Sequence, residues 1–124
     1  MATWNLSKTK QHLLFCNGSS CNRKGAEETT LAIRHELTEK GLDDYVHTTR
    51  TRCNGRCKDA PVVISYPDGT WFKEVTEDMA SEFVEKFIQS NQLLEKNTSH
   101  VIENGTFKTF NDSVEIGMLK SEKK

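Results

Sequence analysis

Four cysteines arranged as two pairs constrain this chain more than any other feature of its sequence. Cys16 and Cys21 enclose four residues, Cys53 and Cys57 enclose three, and 31 residues separate the pairs. What such pairs mean depends on the compartment. The segment from Met1 to Lys10 lacks the apolar core of a signal peptide, and no run approaches the roughly eighteen apolar residues of a membrane span. A cytoplasmic location is therefore expected, and in a reducing cytosol paired cysteines serve metal ligation or redox chemistry more often than disulfides.

A length of 124 residues suits one domain with a modest core, and ten aromatics argue against a disordered chain. Lys and Arg number 17 against 18 Asp and Glu, a formal net charge of -1. Neither nucleic acid nor a membrane surface is indicated as a partner by that balance. The four histidines, His12, His35, His47 and His100, are isolated in sequence, and no Cys-x-His pair suggests mixed ligation.

The order of elements can be read from periodicity. His12 to Cys16 is a short apolar run ending in Asn17-Gly18-Ser19-Ser20, which predicts a buried strand entering a loop. From about Lys24 to Lys40 the apolar spacing becomes helical, with Gly41 as terminator. Tyr45 to Arg50 alternates like a strand, and a polar loop, Thr51 to Ala60, carries the second cysteine pair. Pro61 opens a β-branched run to Tyr66, the Pro67-Asp68-Gly69 turn follows, and Thr70 to Val75 returns as its hairpin partner. Thr76 is a candidate N-cap for a helix whose Met79, Phe83, Val84, Phe87 and Ile88 share one face. Strand alternation predicts that Trp71 and Phe72 point to opposite sides, one into the core and one outward. The sum is an α/β, thioredoxin-like fold with a four-stranded mixed sheet and flanking helices. Residues 1–10 form a lead-in, 11–90 the domain, and 91–124 a C-terminal extension. In that tail Asn104-Gly105, flanked by Val101-Ile102-Glu103 and Thr106-Phe107-Lys108, predicts an appended hairpin.

Two metal centres suit four thiolates. A 2Fe-2S cluster needs two tetrahedral irons with two cysteines each, and Gly18, Ser19, Ser20 and Gly55 supply small residues that let backbone N–H groups approach sulfur. Structural zinc takes four thiolates as well, but zinc knuckles favour a two-residue spacer that neither pair has. The spacing leaves both open. A thioredoxin-type dithiol fits worst, because it needs a C-x-x-C and no second pair.

The segment CNGSSC at Cys16 to Cys21, followed by a helix and then by RCNGRCKDAPVVISYPDG from Arg52 to Gly69, resembles the thioredoxin-like 2Fe-2S ferredoxins and the ferredoxin-like small subunit of respiratory NADH dehydrogenase. The resemblance covers roughly residues 11–90. It implies a 2Fe-2S cofactor ligated by Cys16, Cys21, Cys53 and Cys57, and a carrier that is commonly a homodimer. The chain is also similar to small ferredoxins linked to anaerobic cobalamin synthesis in bacilli. The expected function is one-electron transfer and not enzymatic catalysis, with a zinc-stabilised adaptor as the alternative. Arg23, Lys24, Arg50, Arg52, Arg56 and Lys58 flank the two cysteine pairs and suggest a basic rim where a redox partner protein docks.

Overall fold

The computed structural model describes residues 2–122. Its centre is β1 (Gln11–Cys16), a strand buried on both faces: Leu13 and Phe15 enter the main core, while Leu14 and Cys16 turn to the other side. A short helix, α1 (Ser19–Arg23), follows at once, and Gly25, with φ of 91°, separates it from α2 (Ala26–Glu39). The single helix predicted from about Lys24 is therefore two, and Cys21 lies within the first. Helix α2 closes where Gly41 predicts it, the amides of Leu42 and Gly41 reaching back to the carbonyls of Leu37 and Thr38. Strand β2 (Val46–Thr51) returns parallel to β1, so the helical crossover puts both strand C-termini at one end of the sheet.

Strand β3 (Val63–Tyr66) runs antiparallel on the other side of β1 and forms a hairpin with β4 (Thr70–Phe72). The third helical segment, 77–89, begins as a 3-10 turn, passes through one α turn and widens into a π-helix over Phe83–Gln89. Thr76 precedes it in extended conformation, as an N-cap should, but its hydroxyl meets the Asp78 carboxylate instead of a backbone amide. Phe83 and Phe87 meet Phe72 edge-on, at ring separations of 5.0 and 4.6 Å. With Leu13, Phe15, Ile33, Leu37 and Val63 they make the core between the sheet and the helices.

The sheet does not stop at four strands. Strands β5 (Thr98–Glu103) and β6 (Thr106–Thr109), joined at Asn104-Gly105, form the predicted hairpin, yet β5 pairs with β4 and continues the sheet in the order β2-β1-β3-β4-β5-β6. Thr98 and Ser99 are buried in it, and the Asn97 amide donates to the carbonyls of Lys73 and Glu74. The hairpin also changes the fate of Trp71. Phe72 is the core residue, as alternation predicts, but Trp71 is half-buried because Phe107 and His100 close edge-on over it. His12 and His47, apart in sequence, are neighbours across β1 and β2 with ring centroids 5.0 Å apart. Burial lowers the pKa of His12, and proximity to His47 adds to that shift.

Candidate metal centre

Three chain segments meet at one end of the sheet: the C-termini of β1 and β2 and the entrance to β3. The Asn17 amide donates to Thr51 O at 2.8 Å and the Cys16 amide to Val62 O at 3.1 Å, which ties them together. Cys16 ends β1, Cys21 sits in α1, and Cys53 and Cys57 lie in the loop between β2 and β3. All four predicted ligands are thus carried to the same edge by topology.

The loops touch at Gly18. A Cβ at that position would lie 2.9 Å from both Cα and Cβ of Cys53, closer than side chains pack. Gly18 has ordinary extended backbone (φ -64°, ψ 166°), so its lack of a side chain matters here and conformational freedom does not. Gly55 is the opposite case, with open space around it and φ of 79°, a left-handed turn that aims its amide at Cys53 Sγ at 3.3 Å.

The pairs differ in depth. Cys16 and Cys21 are 3% and 2% exposed within a small apolar cluster with Ala26, Ala60, Val62 and Ile64, whereas Cys53 and Cys57 are exposed. Burial alone would raise the pKa of Cys16. The Gly18 amide, the Cys21 thiol, and the side chain and amide of Asn54 all donate to its sulfur and outweigh burial, so its pKa falls. Cys21 moves the other way: burial raises it, its bond to Cys16 raises it further, and only the Val62 amide opposes. The Gly55 amide thus donates to Cys53 Sγ, and the amides of Gly18, Asn54 and Val62 lie where they favour the thiolate forms of Cys16 or Cys21. That is the donor set an anionic thiolate centre requires.

The fit of a metal can be tested on the outer pair. Two thiolates bonded to one tetrahedral metal at about 2.3 Å stand about 3.8 Å apart. Cys53 Sγ and Cys57 Sγ are 3.7 Å apart. Among the described residues no three Cys, His, Asp or Glu side chains converge on one ion-sized point.

Comparison with known proteins agrees with this arrangement. A sequence model of the thioredoxin-like 2Fe-2S ferredoxins matches residues 4–88. The chain belongs to this family. Family membership makes a 2Fe-2S cluster its cofactor and sets aside the zinc alternative that the spacing left open. A Priestia megaterium protein with a provisional 2Fe-2S ferredoxin name is 61% identical over 88 residues, covering 71% of this chain and 68% of its own. A 2Fe-2S ferredoxin of Clostridium pasteurianum is 30% identical over 95 residues, 70% of this chain and 93% of its own. Among solved structures, a thioredoxin-like 2Fe-2S ferredoxin from Aquifex aeolicus superposes with a TM-score of 0.70 over 78% of this chain and 96% of its own, at 24% identity, which speaks for the fold.

The basic residues are less free than their spacing suggests. Arg50 points back to α2 and grips both Glu27 oxygens, at 2.7 and 2.9 Å. Arg56 pairs with Asp59 at 2.8 Å, and Lys58 lies 3.4 Å from Glu115. Arg23 and Lys24 border a groove shared with Glu28, Glu77 and Asp78. Arg23, Lys24 and Arg52 make no ion pair among the described residues. No helix among them is long and apolar enough to cross a membrane.

Proposed function

We infer that Cys16, Cys21, Cys53 and Cys57 together hold one 2Fe-2S cluster and that the protein is a one-electron carrier. The observation carrying this reading is the meeting of a buried and an exposed cysteine pair at one sheet edge, with backbone amides aimed at their sulfurs. When bound, the cluster accepts and releases a single electron. The chain does the rest. Cys16 and Cys21 anchor the centre against the apolar side, the amides offset its negative charge, and the exposed Cys53–Cys57 loop leaves one edge open to a partner. Electrons enter and leave by that edge because the opposite side is covered by the sheet and α1. Reductive titration of anaerobic protein should consume one electron per chain, and uptake of two, or none, would refute the carrier assignment.

A redox protein with an acidic surface is the proposed partner, meeting the open edge beside Arg52 and Lys58. This rim is narrower than six basic residues would make it, so steering is correspondingly modest. Arg52→Glu combined with Lys58→Glu should leave iron content unchanged and slow electron transfer to an acidic acceptor roughly tenfold at low ionic strength, with the difference vanishing at high salt. Equal stopped-flow rates at low salt would remove the rim from the account. Our reading also includes a cytoplasmic, homodimeric carrier serving anaerobic cobalamin synthesis, supported by the resemblance to the small ferredoxins of that pathway.

A further inference from the structure

The chain beyond residue 88, where the family match ends, returns to the metal centre. After β6 it runs through a turn that buries Val114, and residues 115–117 then lie against the loop carrying Cys57. The contact is made by Arg56, the residue next to that cysteine. Its Nε donates to Asp59 Oδ2 at 2.8 Å, one terminal nitrogen donates to the carbonyl of Ile116 at 3.3 Å, and the other to the carbonyl of Glu115. One guanidinium thus joins two chain segments about sixty residues apart. Arg56 and Asp59 have side chains only 16% and 9% exposed, which distinguishes this bridge from the surface pairs elsewhere on the protein. Asp59 is itself held by the fold, since its carbonyl accepts from the Glu74 amide at 2.7 Å. Between the two segments lies a groove of about 220 Å³, with Cys57 on one wall and Glu115 and Gly117 on the other.

We propose that Arg56 is a positioning residue that clasps the C-terminal segment onto the Cys53–Cys57 loop and thereby sets the lifetime and reduction potential of the centre. The inference rests on the four-cysteine reading above. The outer pair gains from such a device because the Asn54 and Gly55 hydrogen bonds tether the loop only on the Cys53 side, while Cys53 and Cys57 both remain exposed. Arginine suits the task because its planar fork presents donors on three separate nitrogens to a carboxylate and two carbonyls, whereas lysine offers its three donors from a single atom. The clasp holds two carbonyl dipoles beside the loop, with the Glu115 carboxylate nearby and paired to Lys58. The negative ends of those dipoles oppose the added negative charge of the reduced state, so the clasp holds the potential down.

Two full-length variants test this. Arg56→Lys keeps the charge and loses the fork, while Val114→Asn keeps Arg56 and lifts the segment it holds. Both should bleach in air about tenfold faster than wild type, the change in local opening that follows loss of one hydrogen bond to a charged group. Both should also shift the reduction potential upward, which a part serving only global stability would not do. If either variant fails to fold, the other decides. Potential and bleaching rate unchanged in the variants that fold would overturn the clasp, and a response in Val114→Asn with none in Arg56→Lys would overturn Arg56 as its anchor. A wild-type protein with no visible spectrum would instead defeat the four-cysteine reading on which the clasp depends.

Discussion

Replacing any one of the four cysteines by alanine should abolish the visible absorption of the purified protein, and the accompanying change in stability should divide the four into two classes. Alanine supplies no donor, so one iron would lose a quarter of its tetrahedral coordination at a site where the remaining thiolates are fixed by the fold. Cys53→Ala and Cys57→Ala remove exposed side chains and should leave the metal-free protein melting as the metal-free wild type does. Cys16→Ala and Cys21→Ala empty part of a buried apolar cluster and strip acceptors from the amides of Gly18, Asn54 and Val62. They should cost about 1–3 kcal/mol even without metal, the penalty for leaving buried donors unmatched. Serine should be intermediate in cluster content, because its hydroxyl is harder and ionises less readily than a thiol. Iron analysis and paired thermal melts check both parts, and an alanine variant with the wild-type spectrum would remove that cysteine from the ligand set.

The second large effect is expected at Gly18, a residue that ligates nothing. Alanine is conformationally acceptable at φ -64°, ψ 166°, so the whole effect of Gly18→Ala comes from a Cβ placed 2.9 Å from the backbone of Cys53. The obstacle is main chain, not the flexible end of a side chain. Either the two cysteine loops separate or β1 and β2 strain at their ends, and overpacking of this kind costs about 1–3 kcal/mol. Since the same movement draws Cys53 away from Cys16, iron content and cluster lifetime should fall together, and Gly18→Val should be worse. Gly55→Ala provides the contrast. There the added Cβ meets nothing, and the cost is that of a left-handed backbone, about 1 kcal/mol, with the loops still in contact. Wild-type cluster lifetime in Gly18→Val would show that the approach of the loops is not what the centre depends on.

These two residues illustrate what was legible in the sequence. The strand-helix-strand order, the hairpin at Pro67-Asp68-Gly69 and the grouping of the four cysteines into two loop pairs follow from local signals, because periodicity, turn residues and cysteine spacing are written within short windows. That small residues must line the cysteine loops was also legible. Which of them acts by absent bulk and which by a positive φ was not, since that depends on a segment some 35 residues away. The joining of β5 to the sheet was hidden for a similar reason: Thr98-Ser99-His100 reads as polar tail until β4 supplies partners for it. The pairing of the basic residues was hidden because charge spacing says nothing about partners, and Glu27, Asp59 and Glu115 each pair with one of those cations. The clasp left no trace at all, because Arg56 recognises carbonyl oxygens that every residue carries.

The central claim is that two cysteine pairs at one sheet edge hold a binuclear iron-sulfur centre, and the measurement that meets it most directly is metal and sulfide analysis of anaerobically purified protein alongside its visible and EPR spectra. The account predicts about two irons and two acid-labile sulfides per chain, a brown-red colour and an EPR signal that appears only on one-electron reduction. One equivalent of zinc with no labile sulfide, in colourless folded protein, would contradict it.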